Sequence, residues 1–174
     1  MSSVRGNLKF FICRCASKNL SLRYGKQNKL IMNTVIAERL SALREVMKRE
    51  RLAAFVFPST DPHNSEYVPD HWKGREWISG FDGSAGVAVV TLTHAALWTD
   101  SRYFIAAANQ LAGTEFQLMK QGLPDTPAIA DWLGAELQQG DSTEIGMDGQ
   151  VNACLLYTSP SPRDISGSRM PSSA

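Results

Sequence analysis

An α/β domain is the fold class that this sequence predicts, and three observations carry it. Between Met32 and Ala153, stretches with helical periodicity alternate with short β-rich runs, the pattern of helices packed on a sheet. Leu52–Phe57 is an unbroken apolar run stopped by Pro58, as a strand buried on both faces requires. Roughly 120 residues of this kind are enough for one apolar core without a disulfide or a structural metal.

The elements follow in order. Ile36, Leu40, Leu43 and Met47 recur at helical spacing, so an amphipathic helix is expected with Asn33 or Thr34 as its N-cap. The strand at Leu52–Phe57 comes next. Val87–Leu92 and Ala95–Trp98, separated by Thr93-His94, read as a β-hairpin, although Val87-Ala-Val-Val also fits the start of a buried helix. Asp100 or Ser101 caps a helix running to Leu111 and closed by Gly113, and Phe116–Met119 forms a further strand. Thr126-Pro127 reads as an N-cap followed by proline at the first helical position, where its missing N–H costs nothing. That helix carries Ile129, Trp132, Leu133 and Leu137 and stops at Gly140; Glu144–Met147 makes the last strand.

Charge divides the chain into three parts. The whole carries 18 basic and 17 acidic residues, 43% apolar side chains and a net charge of +1, which gives no reason to expect nucleic acid as a partner. No run of 18 apolar residues occurs, so no helical membrane span is expected. Residues 1–31 carry +7 with no acidic side chain, the composition of a transit-like leader or of sequence upstream of the true start at Met32. Residues 32–153 carry −7 and are read as the folded domain. Residues 154–174 back-translate, as CLLYTSPSPRD and then SRMPSSA, to something resembling a sequencing adapter read in frame. They are expected to be a disordered tail, with Ala153 the last natural residue of a truncated protein. Cys13, Cys15 and Cys154 supply neither a disulfide framework nor zinc-ligand spacing, and a reducing, cytoplasmic setting is the default.

Chemistry-bearing residues are few. Asp61-Pro-His63-Asn-Ser-Glu66 places an imidazole between two carboxylates, a pattern open to a metal or acid/base reading. No second His/carboxylate cluster completes a ligand set, so a polar turn, with Asp61 and Ser65 bonding nearby backbone N–H groups, is the expectation. His71 and His94 are expected at the surface. Gly80-Phe-Asp-Gly83-Ser84-Ala-Gly86 lacks the spacing of a nucleophile elbow and of a dinucleotide loop, and its glycines fit a tight, φ-positive loop into the strand at Val87. Trp72, Trp77, Trp98 and Trp132 are read as core or interface residues.

Asp61-Pro-His-Asn-Ser-Glu-Tyr67, Trp77-Ile-Ser-Gly-Phe-Asp-Gly-Ser-Ala-Gly86, Leu97-Trp-Thr-Asp-Ser-Arg-Tyr-Phe104, Leu118-Met119 and Asp125-Thr-Pro127 with Asp131-Trp-Leu133 resemble one family in that order. It is the N-terminal, creatinase/prolidase-type domain of cytosolic Xaa-Pro aminopeptidase, also called aminopeptidase P. The resemblance runs from about Glu38 to about Asp148.

This resemblance implies a ribonuclease H-like mixed sheet flanked by helices, the first domain of a pita-bread metallopeptidase whose catalytic domain is absent here. The parent enzyme would release the N-terminal residue from peptides with proline in second position. Two divalent metal ions, manganese by the family's habit, would activate a bridging water there. In this chain the resemblance implies no catalytic residue, no metal ligand and no cofactor. It does imply a substrate contact at Arg102, the arginine of the family's W-T-D-x-R-Y-F motif; the alternative is that Arg102 is a structural partner of Asp100 or an exposed helix residue. A proline-containing peptide is the expected partner and a homodimer the expected assembly of the full-length protein, with Tyr67 or Trp72 at an interface. The fragment alone is expected to be inactive. Competing expectations are a stand-alone peptide-binding or oligomerisation module and a hydrolytic site at Asp61, His63 and Glu66.

Overall fold

A computed structural model describes residues 26–138 and 142–151. Residues 1–25, with Cys13 and Cys15, residues 154–174, and Gly140 lie outside the described residues, and with them most of the expected leader and all of the expected tail.

Helix α1 (Lys26–Arg49) turns Ile36, Leu40, Leu43 and Met47 onto the sheet, where each is at most 1% exposed. Lys48 and Arg49 occupy its last turn, where cations complement the helix dipole. Arg51 then takes a left-handed φ of 58°, and the Leu52 N–H donates to the Met47 carbonyl at 2.8 Å, closing the helix. Neither expected cap holds, because the helix is already formed at Lys26 and passes through Met32, Asn33 and Thr34. Thr34 Oγ1 instead donates back to the Ile31 carbonyl at 2.7 Å, and Asn33 Nδ2 reaches the Ala112 carbonyl at 3.4 Å.

Strand β1 (Ala54–Phe57) sends Phe55 and Phe57 to the α1 face and Ala54 and Val56 to the other, which is why the run is apolar throughout. A 3₁₀ turn (Asp70–Trp72) and helix α2 (Gly74–Ser79) follow, neither anticipated from the sequence. Gly80 ends α2 at φ 74°, a left-handed position that glycine adopts without Cβ strain. Strands β2 (Val87–Thr91) and β3 (Ala95–Thr99) form the expected hairpin, so Val87 begins a strand.

Asp100 caps the next turn, its side chain accepting the Arg102 N–H; Ser101–Tyr103 is 3₁₀ and helix α3 covers Phe104–Leu111. Gly113, at φ 87°, breaks the chain before strand β4 (Phe116–Lys120). Helix α4 (Ile129–Leu137) begins two residues later than Thr126-Pro127 predicted. Its N-cap is Ala128, because the Pro127 carbonyl is taken by the Trp98 indole N–H at 2.9 Å, which holds the proline outside the helix. Strand β5 (Ile145–Met147) completes the described elements.

The sheet order is β4-β3-β2-β1-β5. The three central strands are antiparallel, and both outer strands join in parallel. Helices α1, α2 and α3 cover one face through Ile36, Leu43, Ile78, Ala107 and Leu111. Helix α4 covers the other, where Trp132 meets Trp98 edge-on at 5.3 Å beside Val89, Ala96 and Leu133. The observed architecture is thus a mixed sheet between helices.

Candidate functional site

One cleft is lined by successive turns of the segment between Pro58 and Ser84. It has a volume of about 280 Å³, and its lining includes Glu66 and Tyr67 from the loop after β1, Trp72 and Arg75 from the turn and helix that follow, and Asp82 and Ser84 from the glycine-rich loop. Tyr103 stands behind Ser84, its phenol oxygen 2.7 Å from Ser84 Oγ, and the Arg102 guanidinium lies 5.4 Å from the centre of the Tyr103 ring. The motif carrying Arg102 therefore backs the glycine-rich loop from outside the cleft lining.

The loop after β1 is shaped by Asp61. This carboxylate is 2% exposed and accepts the backbone N–H groups of His63 at 3.0 Å and Ser65 at 2.9 Å, with Asn64 at a left-handed φ of 54°. Those bonds, the one from Ser65 first, hold its carboxyl below the usual range. Asp61 is thus consumed by a turn, His63 is exposed, and Glu66 faces the cleft. The polar-turn expectation holds for Asp61. His71 packs edge-on against Trp72 at 4.6 Å, and His94 Nδ1 lies 2.7 Å from Glu136 Oε2; both are exposed, as expected.

The glycine-rich loop is tied down residue by residue. Gln110 of α3 donates through Nε2 to Asp82 Oδ1 at 2.7 Å; Arg75 of α2 donates to the Gly83 carbonyl; Ser84 meets Tyr103. Thr99 Oγ1 donates to the Ala85 carbonyl at 2.7 Å, and Ser59 Oγ donates to the Gly86 carbonyl. Five consecutive residues are each gripped by a side chain from a different segment. Gly83 has to be glycine because a Cβ there would run into the ring edges of Phe81 and Tyr103. Sequence reasoning read this loop as a tight turn into the strand at Val87 and missed that it lines the cleft.

Arg102 satisfies two descriptions at once. It grips Asp100 through Nη2 to Oδ2 at 2.7 Å and Nε to both carboxylate oxygens at 3.2 Å, while its side chain stays 67% exposed. Among the described residues its Nη1 makes no hydrogen bond. The pair is mutually stabilising: hydrogen bonds from Arg102 hold the Asp100 carboxyl low, and Asp100 raises the guanidinium further. An exposed guanidinium with one free edge, oriented by a carboxylate behind it, can donate hydrogen bonds to a carbonyl or carboxylate oxygen.

Arg75 was not singled out in the sequence. It is 6% exposed, lies 4.8 Å from the centre of the Phe81 ring, and burial pushes its basicity down. Of the tryptophans, Trp98 and Trp132 are core residues, Trp77 packs against the core under Arg39, and Trp72 lines the cleft. Among the described residues no group of three or more His, Cys, Asp or Glu side chains is placed to hold a metal ion. No helix among them is long and apolar enough to cross a membrane.

Comparison with known proteins places this geometry. Residues 39–159 match the model of the creatinase/prolidase N-terminal domain. The chain is 51% identical over 116 residues to a probable Xaa-Pro aminopeptidase P of Laccaria bicolor, covering 67% of this chain and 18% of that protein. It is 43% identical over 120 residues to the Xaa-Pro aminopeptidase app-1 of Caenorhabditis elegans, covering 64% and 19%. Among solved structures it is similar to the X-prolyl aminopeptidase of C. elegans, described as a cytosolic enzyme with a di-nuclear active site, with a TM-score of 0.61 and 41% identity over 67% of this chain and 20% of that one. The chain spans about a fifth of the length of the curated relatives it matches.

Proposed function

The chain belongs to the creatinase/prolidase N-terminal domain family, and on that premise we propose that it is the first domain of a Xaa-Pro aminopeptidase. The complete protein hydrolyses the bond after the N-terminal residue of peptides whose second residue is proline, a tertiary amide that general aminopeptidases handle poorly. Two divalent metal ions, manganese in this reading, act in a further domain, where they activate water for attack on the carbonyl. The 174-residue chain alone is inactive. The complete enzyme is cytoplasmic and forms a homodimer.

The observation that carries this reading is that the loop after β1 and the glycine-rich loop line one cleft, with Tyr103 bonded behind Ser84 and its neighbour Arg102 oriented by Asp100. Within this chain the work is binding and orientation. Arg102 offers its free guanidinium edge to the peptide backbone, and Ser84 and Tyr103 keep that edge at the cleft.

The test is to express the complete reading frame beside the 174-residue chain and assay both on an Ala-Pro-Ala peptide with and without manganese. The complete protein is expected to release alanine only with metal, and the short chain to release none. Turnover by the short chain would overturn the fragment reading, and an inactive complete protein would overturn the assigned reaction. In the complete protein Arg102→Ala is expected to lower kcat/KM roughly tenfold or more, as loss of one charge-assisted contact does. An unchanged value would remove Arg102 from the substrate site.

A further inference from the structure

We propose that Arg75 is a positioning residue for the peptide cleft: from inside the core it sets the orientation of Arg102 through Gly83, Ser84 and Tyr103. The inference rests on the reading of the cleft given above. Its starting point is a buried cation that the packing does not explain.

Taking a guanidinium out of water is costly, and an apolar side chain of similar volume commonly packs as well or better in such a place. Arg75 is 6% exposed, yet its Nε and Nη1 find no hydrogen-bond partner among the described residues. Its single hydrogen bond, from Nη2, goes to the Gly83 carbonyl, and its flat face covers the Phe81 ring at 4.8 Å. Both contacts fall on the glycine-rich loop. The charge is thus directed at the backbone of one segment and does little for the core around it.

From that bond a continuous path leads outward. Gly83 precedes Ser84, whose hydroxyl meets the Tyr103 phenol at 2.7 Å. Burial of Phe81 against Tyr103, edge-on at 5.9 Å, fixes the tyrosine ring. That ring lies under the Arg102 guanidinium at 5.4 Å. Gln110 and Thr99 hold the loop on either side, at Asp82 and Ala85, so a shift at Gly83 has one outlet, through Ser84. Lysine could retain the charge over Phe81, but its compact ammonium on a flexible stem lacks the flat guanidinium that lies on the Phe81 ring while one N–H donates to the Gly83 carbonyl.

The experiment uses the 174-residue chain as it stands. The Arg102 side-chain Nε–H resonance is followed by NMR, and affinity for Ala-Pro-Ala is measured by calorimetry, in the native chain, Arg75→Lys, Arg75→Met, Ser84→Ala and the Arg75→Lys/Ser84→Ala double variant. Ser84 is exposed, so its variant reports on the path without disturbing the core. The expected result is a displaced Arg102 resonance and a roughly fivefold or greater loss of affinity in each single variant, with no further loss in the double, the signature of residues acting in series. An Arg102 resonance unmoved by Arg75→Lys, or additive losses in the double variant, would overturn the proposal. Displacement of the resonance in a chain with no affinity for the peptide would sink the peptide-binding reading and leave the positioning role standing. Peptide affinity lost on Arg102→Ala but intact in Arg75→Lys would do the reverse.

Discussion

Asp61 is a buried carboxylate whose Oδ1 accepts two backbone N–H groups of its own loop, and its ionisation is therefore tied to the folded state. Bonds from the Ser65 and His63 N–H groups hold its carboxyl below the ordinary value. Asp100 and Asp70 are lowered too, by Arg102 and Lys73. For a group whose folded value is depressed, the stabilisation is complete above the unfolded value, about 3.9, and is lost as pH falls through the lower folded value. The melting temperature is expected to be insensitive to these three groups near neutrality and to fall below about pH 4. Asp61→Asn is expected to flatten part of that acid limb in a thermal melt series; an unchanged slope would exclude Asp61 as a contributor. The turn itself was legible, because an aspartate followed by Pro-His-Asn-Ser matches a known local bonding pattern. Arg75 was illegible for an equally local reason. A buried arginine and a surface arginine look alike in sequence, and only the partner carbonyl at Gly83, eight residues on, distinguishes them.

At the scale of elements, legibility followed the strength of the local signal. Strand β1 and the β2/β3 hairpin were readable from an apolar run and a two-residue turn, and the stripe on α1 from its spacing. Helix α2 was not, since six residues give too short a window for periodicity to register. The start of α4 was misplaced because Thr126-Pro127 is a valid cap sequence that loses to a tertiary contact, the Trp98 indole on the Pro127 carbonyl. That displacement leaves a defect. Ala128 is the N-cap, exposed and in extended geometry, with no side chain to accept the orphan N–H groups of the first turn. Ala128→Ser is accordingly expected to stabilise the chain by about 0.5–1 kcal/mol, measured by urea denaturation, and a neutral or negative change would argue against this cap assignment.

Across the whole molecule the sheet divides the apolar residues into two unequal compartments. The larger lies under α1, α2 and α3 with Phe81 at its rim, and the smaller under α4 around Trp98 and Trp132. The cleft opens beside the larger one, so its wall inherits rigidity from packed core, with Phe81 fully buried beneath Arg75. An α/β class, and strands in this order along the chain, could be read from alternation alone; which loops end up adjacent could not, because that depends on strand pairing between distant segments.

The order of strands in the sheet also dictates an order in time. The centre, β1-β2-β3, is made of antiparallel neighbours close in sequence, whereas the β1/β5 pairing joins Ala54 to Ile145 across most of the described chain. Pairings of that separation are closed late, after the loop-closure entropy of everything between them has been met. The amides of Val89 and Leu97 are therefore expected to be the slowest to exchange with deuterium, and those of the β5 edge to exchange orders of magnitude faster by sub-global opening. Uniform protection across all five strands would instead mark a sheet that opens and closes as a single cooperative unit.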